Sequence, residues 1–83
     1  MERITERQLD RKVGLLNKLT GHETPRYNEA GVYVLDFAYG GVGLHRYIGT
    51  SGGVEDIFGG HMPKRELYGK ICAYIAGIEA GRE

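Results

Sequence analysis

The chain has 83 residues, with 11 basic (Lys and Arg) and 11 acidic (Asp and Glu) residues and one cysteine. A chain of this length forms one domain, residues 1–83, that buries only about 60% of its unfolded surface and has little room for a deep catalytic cleft. Its neutrality argues against a general nucleic-acid binder, and a single cysteine excludes an internal disulfide. The N-terminal residues are charged, so we expect neither a signal peptide nor a membrane span and predict a cytoplasmic protein.

The first predicted element is a helix that begins at Glu6. Thr5 and Gln8 have the spacing of a capping box, in which each side chain accepts a hydrogen bond from the other residue's backbone. Apolar residues then recur at helical spacing, at Leu9, Val13 and Leu16. Gly21 is typical of a helix end, and residues 21–30, which have no periodicity, are predicted to form a loop.

Two alternating runs, residues 31–39 and 42–49, predict an antiparallel hairpin with its turn at Gly40-Gly41. This turn would place Phe37 opposite Leu44. A second turn at Thr50-Ser51-Gly52 would lead into a third strand and bring Asp56 beside Arg46 as an ion pair. The side of the sheet expected to face the core carries Tyr33, Leu35, Phe37, Leu44, Ile48, Val54 and Phe58.

A second helix is predicted from Pro63 to about Ala80. Its apolar stripe consists of Leu67, Ile71, Tyr74, Ile75 and Ile78. A row of small residues lies on the other side, at Gly69, Ala73, Ala76 and Ala80. That row could contact the first helix, form a homodimer with a second copy, or simply favour helix formation. The element order predicts an α+β two-layer fold, a three-stranded antiparallel meander with both helices packed on one face.

Residue types that could support catalysis are sparse. The three histidines, His22, His45 and His61, have no short spacing typical of a zinc motif, so we predict no metal and no cofactor. Ser51 is interpreted as a turn residue and Cys72 as a small packing residue. We therefore predict no catalytic residues and a non-enzymatic protein.

The sheet face away from the helices is the predicted partner-binding surface. It combines apolar, aromatic and charged residues, which suits a protein partner: Val34, Asp36, His45, Tyr47 and Glu55. Asp36 and His45 are expected to face each other across the first hairpin, as a solvated ion pair or as a general acid–base pair.

Nucleic-acid binding by the two helices is the alternative. The basic residues concerned are Arg3, Arg7, Arg11, Lys64, Arg65 and Lys70. Acidic residues lie among them, at Glu6, Asp10 and Glu66, and this mixture is more typical of solvated helix faces. A protein partner is therefore the favoured interpretation.

Four segments bear on the origin of the chain: GGVGLHR (residues 40–46), GGVEDI (52–57), KRELY (64–68) and AGI (76–78). They resemble small uncharacterised proteins encoded by bacteriophages and prophages. The likeness extends over roughly residues 31–80 and implies a mobile-element accessory protein, without implying an activity. We therefore predict a phage or prophage accessory protein that binds a host or phage protein, and inhibition of a host factor or defence system is one version of this function.

The predicted order of helix, three strands and helix also resembles the double-stranded RNA-binding domain. Lys64-Arg65 would stand at the basic start of that domain's second helix. Tyr68, however, occupies a position where that domain carries another lysine. The resemblance is one of topology only and assigns no function.

Overall fold

The computed structural model describes residues 3–26, 29–49 and 53–81. Its elements are α1 (Glu6–Leu19), β1 (Tyr33–Ala38), β2 (Gly41–Tyr47), β3 (Val54–Asp56) and α2 (Lys64–Ala80). The strands form one antiparallel sheet in the order β1-β2-β3, and both helices pack on the same side of it. The predicted α+β fold is confirmed. Within the described ranges, no helix has the length and apolar character needed to cross a membrane.

Helix α1 begins where the sequence predicts. The Gln8 N–H donates to Thr5 Oγ1 at 3.2 Å, and the Thr5 N–H donates to Gln8 Oε1 at 2.8 Å, so both halves of the capping box form. The apolar stripes of α1 and α2 then meet the sheet in one core. Its buried residues are Leu9, Val13, Leu16, Tyr33, Val42, Leu44, Met62, Leu67, Ile71 and Ile75.

Asn17 joins α1 to the free edge of β1. Its side chain is buried, its Nδ2 donates to the Tyr33 carbonyl at 3.0 Å, and its Oδ1 accepts from the Tyr33 N–H at 2.7 Å. An edge strand otherwise leaves such backbone groups unpaired. Asn17 therefore pairs with both backbone hydrogen-bonding groups of Tyr33 on the exposed edge and holds α1 against the sheet.

The first hairpin differs from the predicted register by two residues. Phe37 lies opposite Val42, because the turn consists of Tyr39 and Gly40, whose φ angles are +55° and +74°. Positive φ at both turn residues is what a type I′ hairpin turn requires. Gly41 belongs to β2, where a Cβ atom would lie 3.0 Å from the Met62 carbonyl oxygen, so this glycine serves a close approach of two backbones.

A shift of two residues leaves every side chain on its predicted face, but it changes which of them are buried. Tyr33 and Leu44 are buried, and Leu35 and Phe58 pack partly against the core. Two residues of the first hairpin that were predicted to be covered are exposed instead, Phe37 (50%) and Ile48 (63%). Val54 (42%) was also predicted to be covered, but it is on β3, where the faces are exchanged. Phe37 sits near the tip of the hairpin and Ile48 beyond the end of β2, so the core does not cover them.

The second hairpin differs by one residue, which exchanges the faces of β3. Its predicted turn, Thr50-Ser51-Gly52, lies outside the described residues. Val54 lies opposite Tyr47, and Glu55 opposite Arg46. The predicted pair of Arg46 with Asp56 is therefore wrong: Arg46 Nη2 lies 2.5 Å from Glu55 Oε1, and Asp56 lies opposite His45 on the other face.

The row of small residues on α2 faces away from the core. Gly69, Ala73, Ala76 and Ala80 are all exposed, so the predicted packing of α1 against this row is wrong. The helices meet along another line, where Lys12 Nζ lies 5.7 Å from the centre of the Tyr68 ring. The homodimer through this row remains a prediction.

Candidate functional site

The outer face, defined as the sheet face that carries Val34, Asp36 and His45, has a gap in its middle. Gly43 lies directly opposite Asp36, and His45 is the next residue of β2 on the same face. Because Gly43 has no side chain, the chain after β3 can approach the sheet at this point. A Cβ atom on Gly43 would lie only 2.8 Å from the Gly60 carbonyl oxygen.

His61 enters this gap and completes a cluster with Asp36 and His45. His61 Nε2 lies 2.7 Å from Asp36 Oδ2, and the rings of His61 and His45 meet edge to face with 6.1 Å between their centres. One potential ligand atom from each of the three residues lies within 4.8 Å of the other two. We call Asp36, His45 and His61 the histidine–aspartate cluster.

The segment that carries His61 is held on both sides of it by backbone contacts. Before it, the Gly59 N–H donates to Asp56 Oδ1 at 3.0 Å, and Gly59 and Gly60 both adopt positive φ. After it, Met62 forms a β-bridge with Val42, with N···O distances of 2.9 and 3.0 Å. The position of His61 is thus set by the path of the main chain as well as by its side-chain contacts.

The predicted partner-binding residues are only partly brought together. Val34, Asp36 and His45 share the outer face and are half-buried, whereas Tyr47 is buried on it. Glu55 was expected on this face and lies instead on the helix side, paired with Arg46. The predicted partner of Asp36 was His45, but its hydrogen bond is with His61. His61 is 25 residues from Asp36 in the chain, and no local spacing indicates the contact.

The chemistry available at the cluster is proton exchange or metal ligation. An aspartate hydrogen-bonded to a histidine supplies two of the three members of a catalytic triad. The third member, a nucleophile, must lie within hydrogen-bond reach of the histidine ring. Cys72 belongs to α2, on the opposite side of the sheet, and Ser51 lies outside the described residues. The cluster therefore has donor atoms for a metal ion and no described nucleophile beside it.

A second polar group lies on the helix side of the sheet. The hydroxyls of Tyr33 and Tyr74 are 2.9 Å apart, and Arg46 Nη1 donates to the Tyr33 hydroxyl at 3.4 Å. The hydrogen bond with Tyr33, with added burial, raises the pKa of Tyr74 above its usual value. The hydrogen bond to Tyr33 also raises the pKa of Arg46, with Glu55 contributing. These side chains connect the sheet to α2.

An open cleft of about 850 Å³ lies where the beginnings of both helices meet the tip of the first hairpin. Its lining residues are Arg3, Ile4, Glu6, Phe37, Ala38, Gly40, Gly41, Val42, Lys64 and Arg65. Three of them are cations and one is an anion. Phe37 is the largest apolar side chain of the lining, so the cleft combines a basic rim with an aromatic surface.

The cleft gathers half of the basic residues considered for nucleic-acid binding. Arg3, Lys64 and Arg65 line it, whereas Arg7 and Arg11 are exposed on α1 outside it. The sixth, Lys70, lies elsewhere on α2, with its Nζ 5.9 Å from the centre of the Phe58 ring. The cleft therefore brings together only Arg3, Lys64 and Arg65 of the six.

No protein-family model, curated protein or solved structure matches this chain.

Proposed function

We propose that this protein is a non-enzymatic binding module whose cleft holds a protein segment that combines acidic and apolar side chains. The observation that carries the proposal is the composition of the cleft, in which Arg3, Lys64 and Arg65 surround the half-exposed ring of Phe37. A concave apolar surface with a few polar groups at its rim is the usual form of a binding site.

The charges of the cleft favour an acidic occupant. Three cations against one carboxylate, that of Glu6, give this surface an excess of positive charge although the whole chain is neutral. Carboxylates of a partner can pair with Arg3 in the bidentate geometry that guanidinium groups favour, and with the ammonium group of Lys64. Complementary charge of this kind steers the partner and sets its orientation.

The apolar part of the cleft favours a protein segment over a nucleic acid. Phe37 and Ile4 offer a surface for an aliphatic or aromatic side chain of the partner. A phosphate backbone could pair with the cations of the cleft but would leave Phe37 and Ile4 without an apolar partner. Nucleic-acid binding at the cleft is therefore the less favoured alternative.

The resemblance to phage-encoded proteins supports a proposal about the origin of the partner. We infer that the segment belongs to a host or phage component, with inhibition of a host defence system as one version of the function. This part of the proposal rests on the sequence likeness and not on the cleft.

Selection from a library of random displayed peptides tests the proposed function without a known partner. We expect the enriched peptides to combine Asp or Glu with apolar residues. Lys64→Glu should weaken their binding at least about tenfold, because it removes a charge-assisted contact. Phe37→Ala should also weaken it. Arg11→Glu is the matched control, since it makes the same charge change on an exposed helix position outside the cleft.

Two outcomes would contradict this function. The first is a selection that enriches no peptides, or peptides whose affinity does not depend on Lys64. A loss of peptide binding in the Lys64→Glu variant would not be due to unfolding, because a negative charge in the first turn of α2 favours the helix. The second is tighter binding of a single-stranded DNA oligonucleotide than of any peptide, with a steep fall at higher salt, which would support the nucleic-acid alternative.

A further inference from the structure

We propose that the histidine–aspartate cluster is a binding site for a first-row divalent transition metal ion, with Zn²⁺ as the ion that its donors match best. The site lies on the outer face and does not depend on what occupies the cleft. Two imidazole nitrogens and a carboxylate oxygen are donors that zinc accepts in proteins with one coordination position left open.

The spacing of the donor atoms is close to what the metal requires. Zinc lies about 2.0–2.2 Å from nitrogen and oxygen ligands, so the donors of a tetrahedral site are about 3.3 Å apart. The ligand atoms of Asp36, His45 and His61 already lie within 4.8 Å of one another. The 2.7 Å contact between Asp36 and His61 would open by about half an ångström as the metal replaces the proton that they share.

The three ligands come from three segments of the chain that the fold already holds in place. Asp36 is on β1 and His45 is on β2, in adjacent strands of the same sheet. His61 is fixed by the Gly59 turn before it and by the Met62 bridge after it. Restricted ligands lose less conformational entropy on binding, and this favours metal affinity.

Partial burial also suits a metal site. The side chain of His61 is 17% exposed and that of Asp36 is 45% exposed, so an ion can enter from solvent while the ring beneath it stays fixed. The ring of Tyr39 meets the other side of His61, with 5.6 Å between the ring centres. A fourth position remains for water or for a ligand from a partner.

Calorimetric titration of Zn²⁺ into the untagged, chelator-treated chain tests the proposal. We expect one ion per chain with a Kd in the micromolar range or below. Binding to the folded state should also raise the melting temperature, by about 10–20 °C when the free ion exceeds Kd about a hundredfold. Absence of binding would overturn the proposal.

Variants of the ligands should locate the ion. His61→Ala, His45→Ala and Asp36→Asn should each lower the affinity at least about tenfold, since even residues that only orient metal ligands contribute that much. His22→Ala is the matched control, because His22 also contacts a carboxylate, at 3.1 Å from Glu29, but lies outside the cluster. An equal loss in His22→Ala would overturn the site.

A measurement on the unaltered chain decides the question even where a variant fails to fold. In NMR spectra of the labelled protein, Zn²⁺ should shift the ring signals of His45 and His61 and leave those of His22 unchanged. Shifts at His22 alone, or at none of the three rings, would show that the cluster does not bind the ion.

Discussion

The helix side and the outer face of the sheet are held by different kinds of contact. On the helix side, Leu44 and Val42 are buried against apolar residues of both helices, and this contribution is non-directional and scales with buried area. On the outer face, a main-chain segment lies over Gly43, and a hydrogen bond connects His61 to Asp36. The buried apolar core and the three candidate metal ligands are therefore different residues, so a ligand can be substituted without opening the core.

The largest expected effect is on the helix side. Leu44→Ala should lower the free energy of unfolding by about 2–5 kcal/mol, because Leu44 is fully buried. Phe37→Ala removes a larger side chain but should cost only about 1–2 kcal/mol, since half of the ring already contacts water. Urea denaturation measures both values. Equal losses of unfolding free energy in the two variants would contradict the conclusion that Leu44 is in the core and Phe37 is half-exposed in the cleft.

On the outer face, we expect stability to fall when a side chain is enlarged rather than when one is truncated. Gly43→Ala places a Cβ atom against the Gly60 carbonyl and should lower stability by about 1–3 kcal/mol while displacing His61. Gly49→Ala is the control, because no atom lies within 4 Å of its added Cβ. The same denaturation measurement compares them, and a Gly43→Ala chain as stable as the Gly49→Ala chain would contradict the close approach.

Asn17 tests whether the helix side also depends on directional contacts. Asn17→Ala leaves the Tyr33 N–H and carbonyl without their side-chain partner and should cost about 1–2 kcal/mol. It should also speed hydrogen exchange of the Tyr33 amide. Lys18→Ala, at the exposed neighbouring position, should change neither quantity. An unchanged Tyr33 exchange rate in Asn17→Ala would show that the amide is protected by other contacts.

The smallest expected effect is a pH dependence on the helix side. The pKa of Tyr74 is raised in the folded chain, so above about pH 10 the unfolded chain loses this proton first. The stability contribution is therefore complete below that pH and is lost as the pH rises through the folded pKa. Tyr74→Phe should show a smaller loss of stability between about pH 9 and pH 11 than the unaltered chain.

Tyr39→Phe is the control for this measurement, because Tyr39 is 97% exposed. It should follow the unaltered chain over the same pH range. Identical pH profiles for the Tyr74→Phe and unaltered chains would place the alkaline loss of stability elsewhere.

Local patterns predict the elements of this fold because their causes lie within a few residues. The capping box of Thr5 and Gln8 sets the start of α1, and Pro63 precedes the first residue of α2. Alternation predicts which side chains of the first hairpin share a face, and this survives the change of register because the shift is even. The sequence by itself determined the order of the elements and which side chains of the first hairpin share each face of the sheet.

Tertiary structure decided how the strands are paired and what meets on them. Gly40 and Gly41 are the same residue type, yet Gly40 adopts the positive φ of the turn and Gly41 lets the Met62 backbone approach. Only the assembled sheet separates these roles. The β3 shift is odd, so it exchanged Asp56 for Glu55 beside Arg46. His61 contacts Asp36, which is 25 residues away in the chain. This contact depends on the path of the whole segment over Gly43, so no periodic pattern in the sequence predicts it.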